Sequence, residues 1–344
     1  METLTLFYNG QIYLFLIAFV MMIAGMIKDN DLFLDIFTFF KNNLKSNKAI
    51  VAIVSFFTGL LPIKGRVTIS AGLLDTLAPN KKEPGREKYG PIDYLSTHHY
   101  YMWSPLEKTV ILPMAAFGIT YSAWFQIMWP LIMVTAIFIL SYLIWFVKEE
   151  DVLLKEYGDS VKVSKIIRYV FPYIIAIASV IAGVNFLWSF GLLTLYYMFV
   201  TQTFNIKKLI GYIDFKLLFW VALIIICSNF VITYTNDIKE YLKEFHLDVN
   251  TNQGFISVSA LAFISSFLLG SSSRFAAITV LLTSLYGIQY LPWFFAIDFA
   301  GYLLSPMHKC VAIGILYFNT KFSYYSKILI TWSLLVVGTS YFLI

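Results

Sequence analysis

Two short segments, 201 residues apart, each place a lysine at the start of an apolar stretch. Ser104 and Ser305 are both followed by proline, and Lys108 and Lys309 stand four residues after these serines. Proline is tolerated in the first turn of a helix because its missing N–H would have no partner there, and a preceding serine caps other free N–H groups. Each Ser-Pro pair therefore predicts a helix start, where the helix dipole and the lysine would attract an anion.

Two further apolar stretches are interrupted by polar and basic residues. The stretch 49–78 is broken at 61–66, and the stretch 255–290 is broken at 270–274. Each break indicates the tip of a re-entrant hairpin, which is tolerated at membrane depth only where protein or water covers it. The alternative is an ordinary helix, a surface loop and a second helix.

The hairpin tips and the Ser-Pro segments together contain hydroxyls and cations, which are the groups that bind a carboxylate or another oxyanion. The predicted substrate-binding residues are Lys64, Arg66, Ser104, Lys108, Ser271, Ser272, Ser273, Arg274, Ser305 and Lys309.

Acidic residues near these segments predict where a coupling ion would bind. Asp75 and Asp298 lie in apolar surroundings, where a charge persists only if it is paired or meets a ligand. Each is a candidate for binding a proton or Na⁺. The alternative is that each only neutralises a neighbouring lysine or arginine.

The two halves also resemble each other upstream of the Ser-Pro pairs. Segment 55–59 matches 266–270, and segment 92–94 matches 297–299, in the same order along the chain. The offset changes from 211 residues at the glycines to 201 at the Ser-Pro pairs, so the first copy has about ten extra residues, assigned to 80–90. Matches in a constant order predict an internal duplication.

Composition predicts an all-α, polytopic membrane protein. Hydrophobic residues make up 59% of the chain and charged residues 13%, which excludes a soluble globular domain. Apolar runs long enough to cross a hydrocarbon core of about 30 Å predict 8–10 membrane-spanning segments in the cytoplasmic membrane. The first run lacks a preceding basic region and a cleavage site, so it is predicted to be a spanning helix and not a signal peptide. The full-length runs lie near 10–27, 109–126, 128–147, 167–184, 186–204, 215–235, 303–318 and 326–344.

Charge placement predicts the orientation. Five segments contain 18 of the 25 lysines and arginines, and the positive-inside rule places these segments in the cytoplasm. The acidic segment 237–248 is predicted to lie outside. This topology makes the two repeats inverted, and the loops account for the net charge of +5, so nucleic-acid binding has no support. The five inside segments are 28–48, 79–103, 148–168, 205–216 and 319–327.

Four regions follow from the repeats. The regions are an N-terminal helix with an amphipathic segment at 1–48, a first repeat with its re-entrant hairpin and broken helix at 49–147, connecting helices and loops at 148–254, and a second, inverted repeat at 255–344.

Three blocks resemble a known family. Segments 59–62, 70–71 and 301–308 are similar to the conserved blocks of an uncharacterised prokaryotic membrane family, domain of unknown function 401. That family is grouped with the ion-transporter superfamily, which contains gluconate, citrate, dicarboxylate and arsenite carriers. The resemblance implies a transporter fold and a homodimer. One difference is the cationic tip at Lys64 and Arg66, where the family has a Gly-rich tip.

These observations predict a secondary carrier for a small anion, with alternating access around a midplane site and Na⁺ or H⁺ as the coupling ion. The alternative is a non-transporting binding or scaffold subunit with the same fold. No enzyme, cofactor or metal site is predicted, because the two cysteines form no ligand pattern and His98 and His99 are interpreted as interfacial anchors. Glu107 and His308 occupy equivalent positions in the two Ser-Pro segments but differ in chemistry, and we call them the unlike pair of the repeat. The two halves are predicted to differ in function at this position.

Overall fold

The computed structural model describes residues 2–30, 32–59, 70–72, 74–75, 85–105, 107–152, 161–244 and 248–344, without the side chains of 2–11, 32–34, 151, 273 and 274. Within these ranges the protein is helical and has no β-strand. The all-α prediction is therefore confirmed for the described part of the chain.

The described residues form sixteen α-helices. The helices before residue 212 are α1 Glu2–Asp29, α2 Leu32–Asn43, α3 Asn47–Gly59, α4 Tyr89–His98, α5 Lys108–Phe117, α6 Tyr121–Ser141, α7 Val163–Ile181, α8 Phe186–Val200 and α9 Ile206–Gly211. The later helices are α10 Phe215–Thr233, α11 Thr235–Glu244, α12 Asn252–Leu269, α13 Ser272–Tyr286, α14 Leu291–Leu304, α15 Lys309–Phe318 and α16 Phe322–Tyr341. Short 3-10 turns at 86–88, 99–102, 149–151 and 288–290, and a π-helical turn at 142–146, connect or extend them.

Six helical segments in the described residues are long and apolar enough to cross a membrane. The prediction of eight to ten segments includes shorter helices as full spans. One of them is α5, which has only ten residues and is followed by Gly118 in a left-handed conformation with φ of 62°. The six segments are Ile12–Asp29, Tyr121–Phe146, Val163–Ile181, Phe215–Thr233, Asn252–Leu269 and Ile288–Phe318.

The outer faces of the long helices are apolar. Trp145, Trp188 and Phe219 are 73%, 70% and 63% exposed, and many aliphatic side chains around them are exposed as well. Soluble monomers rarely expose so large an apolar surface, whereas lipid covers it without cost. Together with the six spanning segments, this surface identifies a multi-pass membrane protein.

The basic segments predicted to share one side of the membrane contact one another at one end of the helices. The contacts are Lys165 to Asp35 at 2.7 Å, Lys208 to Asp29 at 2.8 Å, the Ser46 hydroxyl to Glu149 at 2.8 Å, the Lys88 ammonium to the Phe146 carbonyl at 3.3 Å, and the Thr320 hydroxyl to the Glu87 carbonyl at 3.0 Å. These segments therefore lie close together in the fold. That they share one side of the membrane, and that this side is cytoplasmic, stays a prediction.

One part of a predicted loop is not a loop. Helix α4, Tyr89–His98, lies inside the predicted cytoplasmic segment 79–103, yet every one of its residues is buried. The basic residues that precede this stretch predict a solvent-exposed cytoplasmic loop over 79–103. Its aromatic and small side chains bury instead, and its carboxylate at Asp93 receives hydrogen bonds from Ser55 and Ser70.

The helices after the two Ser-Pro pairs are equivalent in length and position. Helices α5 and α15 have ten residues each, and α5 and α6 each begin 201 residues before their counterparts α15 and α16. Both ten-residue helices end at a left-handed residue, Gly118 with φ of 62° and Asn319 with φ of 56°. Glycine and asparagine adopt this conformation at low cost. The sequence similarity therefore corresponds to a repeated local structure.

The predicted helix starts at the Ser-Pro pairs are wrong by three residues. Helices α5 and α15 begin at Lys108 and Lys309, with Glu107 and His308 as the capping residues. The backbone N–H of Glu107 and of His308 donates to the carbonyl of the serine three residues earlier, at 3.0 and 3.1 Å. Each serine thereby forms a turn that separates the proline from the helix, so the turn and not the helix contains the Ser-Pro pair.

Tyr325 lies between glycines of the two halves. A Cβ added at Gly90 in α4 or at Gly314 in α15 would meet the Tyr325 hydroxyl well inside contact distance and its Cζ at 3.0 Å. The ring is 1% exposed and its hydroxyl has no hydrogen-bond partner among the described residues. The two glycines therefore make room for this buried tyrosine.

We expect Gly90→Ala to lower the free energy of unfolding by about 1–2 kcal/mol, because the buried ring has little room to move. Adding Tyr325→Phe should restore part of this loss, since it removes the clashing oxygen and leaves no unpaired hydroxyl. Thermal unfolding of both single variants and the double variant in detergent measures the coupling. Strictly additive shifts would contradict the contact.

Candidate functional site

Asp298 lies in the middle of α14 and is completely buried. Each of its carboxylate oxygens receives one hydroxyl hydrogen bond, from Ser266 of α12 at 3.0 Å and from Thr279 of α13 at 2.7 Å. Helices α12 and α14 approach closely at Gly301, where an added Cβ would lie 2.5 Å from the Phe263 carbonyl oxygen. This close packing holds Ser266 against the carboxylate.

Asp93 has the same kind of surroundings in the first half. Its residue is 2% exposed, and its Oδ1 accepts hydrogen bonds from the Ser55 hydroxyl at 2.6 Å and from the Ser70 hydroxyl. Ser55 belongs to α3 and Asp93 to α4, whereas Ser70 follows the first predicted hairpin tip. Two hydroxyls from the two sides of the break therefore meet one buried carboxylate.

The two carboxyl clusters occupy equivalent places in the repeat. Ser55 corresponds to Ser266, and Asp93 corresponds to Asp298, in the sequence alignment of the two halves. The second hydroxyl comes from Ser70 in one cluster and from a threonine in the other. Among the described residues, no basic side chain lies within ion-pairing distance of either carboxylate. Within the described part of the chain, neutral donors alone hold each carboxylate, so a proton or a small cation bound there would displace no described lysine or arginine.

Asp75 has different surroundings from Asp298. Its carboxylate forms an ion pair with Arg86, whose side chain is 3% exposed and also donates to the Tyr317 carbonyl at 2.9 Å. This ion pair favours the alternative of charge neutralisation for Asp75, whereas its role as an ion-coupling residue stays a prediction. A buried guanidinium needs this counter-charge, because a lone buried cation is costly.

The tip of the second predicted hairpin contacts the break between α14 and α15. Gly270 has φ of 53°, and a Cβ there would lie 2.7 Å from the Ser305 hydroxyl and 2.8 Å from the Met307 carbonyl carbon. Ser271 and Ser272, both partly buried, follow directly and begin α13. The structure therefore places Gly270, the residue before these serines, against the turn at Ser305, whereas anion binding at this tip stays a prediction.

Other predicted anion-binding residues are less well placed. The Ser305 hydroxyl already accepts a hydrogen bond from the Met307 N–H at 3.1 Å, and Ser104 is 1% exposed. Lys108 is partly buried at the first position of α5, and Lys309 is exposed at the first position of α15. Four predicted side chains lie outside the described residues, namely those of Lys64, Arg66, Ser273 and Arg274.

His98 and His308 form a buried cluster that sequence reasoning missed. Both residues are at most 2% exposed, and their Nε2 atoms are 3.3 Å apart. Cys310 completes a group whose ligand atoms all lie within 4.8 Å of one another. The interpretation of His98 as an interfacial anchor is wrong, because its ring stacks on Tyr94 in the core, with centroids 3.8 Å apart. The neighbouring His99 stacks on Phe56 instead.

One member of the predicted unlike pair of the repeat, His308, lies in this cluster. His308 reaches His98 of the first half, whereas Glu107, at the equivalent place, is buried at the start of α5. The hydroxyls of Tyr101 and Tyr302 add a second polar contact between the halves, at 2.9 Å. The only sequence signal for the cluster was that difference between Glu107 and His308.

The chain matches no protein-family model and no curated protein sequence. Its resemblance to domain of unknown function 401 therefore stays a prediction. What the protein does must follow from its membrane-spanning helices, the two carboxyl clusters and the break between α14 and α15.

Proposed function

We propose that this protein is a secondary active transporter for a small anion, such as a carboxylate or an oxyanion. In this proposal Asp298, with Asp93 as its counterpart, binds the coupling proton or Na⁺. The observation that carries the proposal is the pair of buried carboxylates, each held by two hydroxyls and by no basic residue of the described chain. Ionisable groups at membrane depth in transporters commonly bind the coupling ion.

The directions of α3 and α12 support an inverted repeat. Helix α3 begins at the basic end, where the Lys48 ammonium donates to the carbonyls of Leu143 and Val147 at 2.9 Å. Helix α12 begins beside the acidic segment, with Gly254 against the Asp248 carbonyl. The two helices thus enter from opposite ends, and inverted repeats that meet at broken helices are typical of secondary transporters.

The break before α15 supports an anion as the substrate. A helix N-terminus presents free N–H groups and a partial positive charge, and Lys309 adds a cation there. The serines at 271–272 lie beside the same break through Gly270. This arrangement offers hydroxyl and amide donors with a nearby positive charge, which is the chemistry that binds a carboxylate or an oxyanion.

Coupling follows from the charge of the loaded site. An anion inside the membrane is costly, and so is an ionised buried carboxylate. Uptake of a cation by Asp298 neutralises one of these charges, so the site that holds both ion and substrate changes its side of access at a lower energetic cost than the site that holds the substrate alone. This is the physical basis of alternating access with ion coupling.

Uptake into proteoliposomes tests the proposal. The purified protein should accumulate at least one labelled anion from a panel of carboxylates, sugar acids and oxyanions under an imposed Na⁺ or H⁺ gradient. Dissipating that gradient with the matching ionophore should abolish the accumulation, and empty liposomes serve as the control. Absence of uptake by folded protein across the whole panel would contradict transport. Stable co-purification of a partner protein would then favour a binding or scaffold subunit.

A further inference from the structure

The cluster of His98, His308 and Cys310 shares no residue with the two carboxyl clusters. We propose that His98, His308 and Cys310 bind a thiophilic transition-metal ion, Zn²⁺ or Cu⁺, between the two halves of the protein. One ligand atom of each residue lies within 4.8 Å of the other two. His98 ends α4, whereas the other two residues flank the first position of α15, 210 residues further along the chain. The metal would therefore join two distant elements.

The spacing of the imidazoles fits a tetrahedral metal site. The Nε2 atoms of His98 and His308 are 3.3 Å apart. Two nitrogens bound to Zn²⁺ at about 2.0–2.1 Å, with a tetrahedral angle between the bonds, lie about 3.3–3.4 Å from each other. A sulfur bound at about 2.3 Å would lie about 3.5 Å from each nitrogen. Since all three atoms already lie within 4.8 Å, each sulfur–nitrogen distance needs to shorten by about 1.3 Å at most.

The second nitrogen of each imidazole is held as in most metal-binding histidines. His98 Nδ1 lies 2.9 Å from the Tyr94 carbonyl oxygen, and His308 Nδ1 lies 3.2 Å from the Tyr302 carbonyl oxygen. If each carbonyl accepts a hydrogen bond from its imidazole, a proton lies on each Nδ1 and a lone pair on each Nε2, and the Thr97 hydroxyl, 2.9 Å from His98 Nδ1, would then accept from the same N–H. Two lone pairs that face each other repel, and a metal ion between them replaces the repulsion with two bonds.

A different proton arrangement needs no metal. The Tyr94 hydroxyl lies 2.9 Å from His308 Nδ1 and could donate to it. The proton of His308 would then be on Nε2 and would be donated to His98 Nε2. This arrangement leaves the Tyr302 carbonyl facing a lone pair at 3.2 Å, without the donor it has in the other arrangement. The metal-bound form satisfies both carbonyls, and we favour it for that reason.

The donor set selects the class of metal. Two imidazole nitrogens and one thiolate are borderline and soft ligands, which favour Zn²⁺ and Cu⁺ over Mg²⁺ and Ca²⁺. The described cluster contains no carboxylate. With one thiolate, bound Cu⁺ gives a neutral site, whereas Zn²⁺ leaves one positive charge. Three protein ligands also leave a fourth position open for Zn²⁺.

Metal binding to the full-length protein in detergent or nanodiscs tests the proposal without any transport assay. After treatment with a chelator, Zn²⁺ and Cu⁺ are titrated separately against competing chelators, and Co²⁺ is added as a spectroscopic substitute for Zn²⁺. The variants are Cys310→Ser and His308→Gln. The matched controls are Cys227→Ser, an exposed cysteine, and His99→Gln, which stacks on Phe56 outside the cluster.

We expect about one Zn²⁺ or Cu⁺ per chain, a loss of affinity of more than roughly tenfold in both cluster variants, and unchanged binding in both controls. Bound Co²⁺ should show a sulfur-to-metal charge-transfer band that disappears in Cys310→Ser. If a cluster variant does not fold, the Co²⁺ band of the wild-type protein alone decides whether sulfur binds. Absence of binding, binding equal in the cluster variants, or Co²⁺ bound without the sulfur band would overturn the proposal and identify the hydrogen-bonded form.

Discussion

Asp298→Asn is expected to abolish ion-coupled uptake, with a fall in rate of at least about 100-fold, while the protein stays folded. Removing one partner from a buried charged interaction costs about 3–5 kcal/mol, which corresponds to a loss of ion affinity of about 100-fold or more. Asparagine has nearly the same shape and can still hydrogen-bond to the hydroxyls of Ser266 and Thr279, so packing should change little. Uptake into proteoliposomes and thermal unfolding in detergent measure the two effects separately.

Asp35→Asn is the matched control for this prediction. Asp35 forms an ion pair with Lys165 at the basic end, where both side chains are partly exposed, so its loss should leave uptake within about twofold of wild type. Thr279→Val keeps the charge of Asp298 and removes one of its two hydrogen bonds, and it should therefore give an intermediate rate. Uptake by Asp298→Asn with the wild-type rate and ion dependence would show that this carboxylate does not couple transport.

Much of the carboxyl arrangement could be predicted from local sequence. The match of 92–94 with 297–299 paired Asp93 with Asp298, because a duplicated helix keeps the same residues around a buried polar group. The predicted site residues do not include Asp93, because the charge pattern predicts a cytoplasmic loop over 79–103. The hydroxyls of Ser70 and Thr279 could not be predicted, because they come from other elements that are brought together only by tertiary packing.

The histidine cluster shows where local patterns stop being informative. Metal-ligand motifs are recognised by short spacings along one chain segment, whereas His98 and His308 are 210 residues apart. Their proximity depends on α4 being buried against α15, and the charge pattern had placed α4 in water. In the same way, the shifted starts of α5 and α15 depend on carbonyl hydrogen bonds within each Ser-Pro turn, which residue preferences do not reveal.

The two halves are alike at their buried carboxylates, but they contribute different residues to the contact between them. The equivalent clusters around Asp93 and Asp298 lie within each half, so each half would respond to an ion in the same way. The contact between His98 and His308 joins the halves and has no second copy among the described residues. A metal there would restrain the relative motion of the halves that alternating access requires, which gives the metal a regulatory effect on the proposed transport.

Gly301→Ala is expected to lower the free energy of unfolding by about 3 kcal/mol, the largest loss of stability among the substitutions considered. The new Cβ would lie 2.5 Å from the Phe263 carbonyl oxygen and 3.2 Å from the Phe267 nitrogen, both of them backbone atoms of α12. Backbone atoms cannot rotate away as a side chain can, so α12 and α14 must separate. Thermal unfolding in detergent measures the loss.

Gly338→Ala in α16 is the matched control, because a Cβ there meets nothing within 4 Å. It should be neutral or stabilising by about 0.4–1 kcal/mol, since alanine restricts the unfolded chain. Equal unfolding temperatures for the two variants would contradict the close packing of α12 and α14.

The same packing places the Ser266 Cβ 3.1 Å from the new methyl group, so Gly301→Ala should also weaken the hydrogen bond to Asp298. Ion-coupled uptake should therefore fall together with stability in this variant, whereas in Asp298→Asn it falls alone.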